Sequence, residues 1–124
     1  KEALPIKLQA YERMLLFCER INPVKMLVRI QPKSDNVDDY LFLILQNIEQ
    51  EFEHNLVQQL YISDACWNVI ITSKTAIINK LKQVAKTSEN AQDLREKTML
   101  AYQNSSSATE APIAYLKAEI KKYI

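Results

Sequence analysis

Apolar residues recur every three or four positions along most of this chain, the spacing that places side chains on one face of an α-helix. The first such segment runs from about Leu4 to Ile21, and its two adjacent apolar stripes indicate a helix packed against more than one neighbour. Asn22 and Pro23 end it, because a proline disfavours helical backbone at the residue before it. A short helical segment, Val24–Arg29, follows.

Two long amphipathic segments occupy the middle of the chain and predict a helical hairpin. The first is Asn36–Tyr61, with seven residues predicted to face inward: Leu41, Ile44, Leu45, Ile48, Phe52, Leu56 and Leu60. The second is Asp64–Lys86, and Ser63 before it is a favourable N-cap. A tight turn at Ile62 and Ser63 would make the two helices antiparallel.

Charge supports this pairing. Between Asp35 and Asp64 there are seven acidic residues and no lysine or arginine, whereas residues 65–88 contain four lysines and no acid. Opposite charges on the two helices would favour one alignment of the hairpin, although an exposed pair contributes only about 0–1 kcal/mol.

The remaining chain predicts two further helices. A weakly apolar one begins near Thr87 and Ser88 and continues to Tyr102, and the last begins near Thr109. The serine-rich residues 104–107 predict a flexible link. No segment alternates apolar and polar residues as a strand does, so we expect an all-α domain spanning residues 1–124, with about five helices and no sheet.

The chain of 124 residues contains no glycine, and this changes which functions remain open. Glycine supplies left-handed backbone and close approach to phosphate groups, so a P-loop, a dinucleotide-binding turn and a glycine nucleophile elbow are excluded. Asn, Ser, Asp and Pro must therefore make the turns. No cofactor is predicted.

The net charge of +1 gives no general attraction to nucleic acid or acidic membranes. Cys18 and Cys66 both lie within apolar helical patterns and are expected to be free, buried thiols. No apolar run is long enough to span a bilayer. Because the sequence begins with Lys1, we expect that an upstream segment has been removed.

The only histidine belongs to the one pair of residues in the chain whose spacing is typical of metal ligands. Glu51 and His54 are three residues apart, which places a carboxylate and an imidazole on one helical face as in di-iron helical bundles. Such a site needs a second pair, which only a symmetric dimer could supply here. A surface or polar-packing role for His54 is favoured. A catalytic pair of His54 with Cys18 or Cys66 is disfavoured against core packing, so we expect no enzyme.

Two further features have ordinary structural interpretations. The lysines of the second hairpin helix could form a nucleic-acid-binding face, but no arginine accompanies them, and arginine dominates base recognition. Phe52, Tyr61 and Trp67 surround the hairpin turn, where they are predicted to pack; exposed together, they would form an interaction patch.

Several segments resemble a family of small uncharacterised bacterial proteins, a domain of unknown function. They are residues 4–13 (LPIKLQAYER), 19–23 (ERINP), 51–56 (EFEHNL), 58–64 (QQLYISD) with Trp67, and more loosely 115–120 (YLKAEI). The resemblance implies an N-terminal transmembrane anchor and a basic stretch before this domain. By the positive-inside rule it then implies the cytoplasmic side of the inner membrane. It implies no activity.

The functional expectation is protein–protein interaction, or a scaffold, with a homodimer as one form. A nucleic-acid-binding or regulatory domain is the alternative, and an enzyme or metal site at Glu51 and His54 comes third. On the first helix Glu12-Arg13 and Glu19-Arg20 repeat after seven residues, so Arg13 or Arg20 is predicted to pair with Glu51 or Glu53. The residues of the candidate interaction or structural motif are Arg13, Arg20, Glu51, Glu53, His54, Tyr61 and Trp67.

Overall fold

Six α-helices and one 3₁₀ helix build the protein in a computed structural model that describes residues 3–103 and 108–124. They are α1 (Ala3–Ile21), α2 (Pro23–Arg29), α3 (Val37–His54), the 3₁₀ helix (Leu56–Leu60), α4 (Asp64–Ala85), α5 (Ala91–Gln103) and α6 (Glu110–Ile120). These ranges contain no strand, which confirms the all-α prediction with one helix more than the expected five. The flexible link predicted at residues 104–107 lies outside them. None of these helices combines the length and apolar character needed to cross a membrane.

Asparagine and serine side chains begin four of the helices. The side-chain oxygen of each accepts a hydrogen bond from the backbone N–H three residues later, at Asn22 (3.4 Å), Asn36 (3.0 Å), Ser63 (3.1 Å) and Asn90 (2.8 Å). These bonds satisfy N–H groups that have no partner within the helix. None of the described residues has a positive φ, so their turns need no glycine.

Helices α3 and α4 form the predicted antiparallel hairpin, but the turn between them differs from the prediction. Helix α3 ends at His54, where the Asn55 side chain donates to the Glu51 carbonyl at 2.8 Å, and the 3₁₀ helix follows. A 3₁₀ helix has three residues per turn, so the 3.6-residue period no longer predicts which side faces inward. The predicted inward positions Leu56 and Leu60 are 41% and 73% exposed, and that prediction is wrong.

Helix α5 closes the opposite end of the bundle. It starts at Ala91, four residues after the predicted restart at Thr87, because Asn90 provides its cap. The Ala91 N–H donates to the Asp35 carbonyl at 2.9 Å, which joins the start of α5 to the loop before α3. Arg95 donates through Nε to the Leu27 carbonyl of α2 at 3.0 Å. Residues 68 positions apart are thereby connected.

The core lies between α1, α3, α4 and the shorter helices packed against them. Its largest fully buried side chains are Phe17, Met14 and Ile21 of α1, Met26 and Leu27 of α2, Tyr40, Ile44 and Ile48 of α3, Ile70, Ile77 and Leu81 of α4, and Leu94 of α5. Cys18 and Cys66 are buried, free thiols as predicted. Burial raises the pKa of each to about 12, so both are protonated at neutral pH.

One carboxylate is also buried, where α1, α4 and α6 meet. Glu119 accepts hydrogen bonds from the hydroxyls of Tyr11 and Ser63 and from the Ser63 N–H at 3.3 Å. Burial alone would raise the pKa of Glu119, but these donors and the nearby charge of Lys122 hold it below its ordinary value. Burial, followed by the proximity of Glu119, raises the pKa of Tyr11. Three hydrogen-bond donors therefore stabilise the buried ion.

Candidate functional site

An open groove runs between α1 and the end of α3. Its volume is about 600 Å³. Helix α1 contributes one wall, and the C-terminal turn of α3 contributes the other. The lining residues are Gln9, Glu12, Arg13, Leu16, Phe17 and Arg20 on the first wall and Glu51, His54 and Asn55 on the second. Four of the seven residues singled out in the sequence thus meet in one place: Arg13, Arg20, Glu51 and His54.

The antiparallel packing of α1 on α3 explains this convergence. The Phe17 and Phe52 rings pack with centroids 5.9 Å apart, and their contact fixes the two helices beneath the groove. One turn further along α1, Arg20 donates through Nε to Glu51 at 2.6 Å. This is one of the pairs that the sequence predicted.

A second arginine accompanies this pair. Arg29 of α2 lies 3.8 Å from the Glu51 carboxylate and donates to the Arg20 carbonyl at 3.2 Å. Burial and the charge of Arg20 lower the pKa of Arg29, and Glu51 opposes that change. Two guanidinium groups therefore share one carboxylate, which leaves this end of the groove with an excess of positive charge.

Arg13 and Leu16 are exposed on the α1 wall, as are Gln9 and Glu12. Arg13 makes no hydrogen bond or ion pair with the described residues, and Leu16 is 59% exposed. A free guanidinium beside an exposed leucine can bind a partner group that carries both a carboxylate and an apolar surface. Of the two arginines predicted as alternative partners of α3, Arg20 forms the ion pair, and Arg13 forms none with the described residues.

Glu53 and His54 lie at the exposed end of α3, and His54 is at the rim of the groove. Glu53 has no partner among the described residues and does not line the groove. The carboxylate of Glu51 is held by guanidinium groups, an arrangement that competes with metal ligation. In residues 3–103 and 108–124 no cluster of three or more His, Cys, Asp or Glu side chains is placed to hold a metal ion.

The aromatic residues at the hairpin turn pack rather than form a separate patch. The Phe52 ring lies 5.7 Å from the Trp67 ring, centroid to centroid, which continues the contact from Phe17. Tyr61 and Trp67 are both partly buried against the core. Their positions fit the packing interpretation of the sequence.

The basic face of α4 is also partly used inside the fold. Lys74 binds Glu49 of α3 at 2.8 Å and lies 4.4 Å from the centroid of the Phe52 ring. Its side chain is only 13% exposed, so it does not project towards an external phosphate. This ion pair joins the acidic helix to the basic one, as their charges predicted.

Sequence reasoning did not single out Arg29 or Leu16. Arg29 reaches Glu51 only because α2 folds back beside α1, and the local sequence contains no sign of that contact. Leu16 did carry a signal, since it falls outside both buried stripes of α1. An apolar residue out of phase with the core face of its helix is a candidate for an external contact.

Comparison with known proteins identifies one family. The pattern described as "Family of unknown function (DUF7935)" matches residues 1–123, nearly the whole chain. This agrees with the predicted resemblance to a domain of unknown function. No curated protein and no solved structure matches the chain.

Proposed function

Because the chain belongs to this family of unknown function, membership supplies no activity, and we propose from the groove that it is a protein-interaction domain. The observation that carries the proposal is the exposed pair of Arg13 and Leu16 on the groove wall. In the part of the chain that the structure describes, Arg13 makes no hydrogen bond or ion pair and Leu16 is 59% exposed, and both line an open volume of about 600 Å³.

The charge of the groove defines the class of partner. Arg20 and Arg29 share the carboxylate of Glu51, and Arg13 lies on the α1 wall of the groove, as does Glu12. The arginine side of the groove fits a carboxylate, and Leu16 fits an aliphatic side chain next to it. The partner is therefore a protein segment that presents acidic and aliphatic residues together.

The proposal includes a location at the cytoplasmic side of the inner membrane. Its support is the resemblance described above, in which a transmembrane anchor and a basic stretch precede the domain. An anchored domain with an interaction groove would act as a scaffold that holds a partner near the membrane.

The test compares three versions of the full-length protein in the cells from which it comes. They are the wild type, the groove variant Arg13→Glu with Leu16→Asp, and the control variant Lys82→Glu with Leu100→Asp. The control makes the same changes in charge and polarity at exposed positions of α4 and α5. Each is captured by affinity tag from cells that also make the same version with a different tag. The co-purifying proteins, including the differently tagged copy of the chain itself, are quantified by mass spectrometry.

We expect at least one protein that wild type and control retain and that the groove variant loses by tenfold or more. Both variants should keep the wild-type unfolding midpoint, because exposed substitutions change stability by about 0.5 kcal/mol or less. An identical set of captured proteins in all three samples would contradict the proposal.

A further inference from the structure

The exposed face of α1 separates its charges into two flanks. With about 100° between successive residues, Glu12 and Glu19 lie roughly 40–60° to one side of Leu16, and Arg13 and Arg20 lie roughly 40–60° to the other. Gln9 lies close to the line of Leu16. Both acids and both arginines are at least partly exposed. The face therefore has an apolar centre, a negative flank and a positive flank.

From this pattern we propose that the groove partner is a second copy of the chain, with the two α1 helices side by side, parallel and crossing at Leu16. The proposal rests on the proposed function, since it names the occupant of the same groove. It commits to a two-fold symmetric dimer, in which each copy presents the same surface to the other.

Charge selects the parallel arrangement. When two such faces meet with their helices parallel, the two-fold axis places the negative flank of each copy against the positive flank of the other. Glu12 then approaches the second copy's Arg13. Glu19, which pairs with Lys25 in its own copy, approaches the second copy's Arg20, which pairs with Glu51 in its own copy. When the helices are antiparallel, the same operation places like flanks together, which destabilises the pair.

The parallel arrangement also fits the groove. The arginine flank of α1 forms one wall of the groove, so the negative flank of the second copy enters it. Arg13, which has no partner among the described residues, gains a carboxylate, and Leu16 of each copy covers the other. The carboxylate-bearing aliphatic segment that the groove requires is thus present on α1 itself.

Disulfide trapping tests the arrangement. Leu16→Cys and Gln9→Cys are made separately in the otherwise native chain and oxidised under mild conditions. A disulfide needs Cα atoms roughly 5.5 Å apart, so only positions near the two-fold axis can form one. The native Cys18 and Cys66 provide a silent background because they are buried. Leu100→Cys is the matched control, an exposed leucine on α5.

We expect cross-linked dimers from both the Leu16→Cys and the Gln9→Cys chains, at least tenfold above the Leu100→Cys control. A cross-link at position 16 without one at position 9 would overturn the parallel arrangement, since antiparallel helices crossing at Leu16 separate the two copies of residue 9 by roughly 21 Å. No cross-link above the control at either position would overturn the dimer.

A charge exchange provides the second test. On the Leu16→Cys background, one chain carries Glu12→Arg and the other carries Arg13→Glu, and the two are mixed with tags of different mass. In a dimer of either variant with itself, positions 12 and 13 of the two copies bring like charges together. In the mixed dimer, both of these contacts bring opposite charges together. We expect roughly fivefold more mixed than same-variant dimer. A statistical distribution of the three dimers would overturn the charge pairing.

These results remain distinct from the test of the proposed function. If cross-linking fails while capture from cells still depends on Arg13 and Leu16, the groove binds a different protein and only the dimer is lost. If capture also fails to depend on them, both proposals are lost.

Discussion

Helix α1 carries polar clusters on two sides. The two clusters differ in how many of their polar groups are hydrogen-bonded or ion-paired within the protein. On one side, Tyr11 reaches the buried carboxylate of Glu119, which accepts three hydrogen bonds where three helices meet. On the other, Arg20 pairs with Glu51 beside an open groove, with side chains 42% and 16% exposed. Arg13 nearby has no partner among the described residues.

The difference separates a structural cluster from a surface available for binding. A buried carboxylate that loses its donors would be costly, so the Glu119 junction fixes how α1, α4 and α6 meet. The groove groups are solvated, and an exposed ion pair contributes little to folding. Substitutions should therefore affect stability on one side of α1 and binding on the other.

The largest effect is expected at Glu119. Glu119→Ala leaves the Tyr11 hydroxyl and the Ser63 N–H without their acceptor, and the free energy of unfolding should fall by about 2–3 kcal/mol. Urea denaturation measures it. Glu96→Ala, which removes an exposed carboxylate from α5, should change it by less than about 0.5 kcal/mol. Equal losses from the two variants would contradict the structural role of the Glu119 carboxylate.

The pH dependence of the free energy of unfolding should reflect the ionisation of Glu119. The pKa of Glu119 in the folded protein lies below its ordinary value of 4.5, so the stabilisation is complete above that pH. It is lost as the pH falls through the folded pKa, because the unfolded chain takes up the proton first. Urea denaturation between pH 7 and pH 3 should show that the difference in free energy of unfolding between the wild type and Glu119→Gln decreases as the pH falls. A constant difference over that range would contradict this assignment.

A buried hydroxyl on α5 tests whether hydrogen bonding, and not burial alone, decides how a buried polar group affects stability. The Thr98 Oγ1 is buried without a hydrogen-bond partner among the described residues. Thr98→Val keeps the shape of the side chain and removes the unpaired hydroxyl, so we expect the free energy of unfolding to rise by about 1 kcal/mol. Thermal or urea unfolding would show it. A loss of stability would mean that this hydroxyl is satisfied in solution.

The smallest effect is expected at the groove. Arg20→Gln should lower the free energy of unfolding by about 0.5 kcal/mol, since Arg20 is half exposed and Arg29 remains beside Glu51. The difference from wild type should shrink further in high salt, which screens exposed charges. A decrease in the free energy of unfolding above about 2 kcal/mol would show instead that the Arg20–Glu51 pair is needed to stabilise the fold.

Local patterns predicted most of the fold because helix caps and apolar periodicity act over a few residues. Asn22, Ser63 and the proline at position 23 stand where helices end or begin. The predictions failed at the 3₁₀ helix, where a change in helical period reversed the expected burial of Leu60. Asn55 is a residue type that often ends a helix, but the apolar periodicity continued past it and the prediction followed that periodicity.

The site was predictable only in part, since it depends on contacts between distant segments. The Arg20–Glu51 pair followed from opposite charges on two amphipathic helices that had to pack together. The contact of Arg29 with Glu51 did not, because it depends on the direction in which α2 leaves α1. Glu119 could not be recognised as buried, since its donors come from residues 56 and 108 positions away.

The hydrogen bond from Arg95 to the Leu27 carbonyl has a consequence for the order in which the chain acquires its structure. Helix α2 contains only seven residues, fewer than an isolated helix needs in water. Its stability therefore depends on α5, which is synthesised much later. During synthesis, α2 would remain in exchange with coil until α5 arrives, and the two helices should afterwards open together in amide hydrogen exchange.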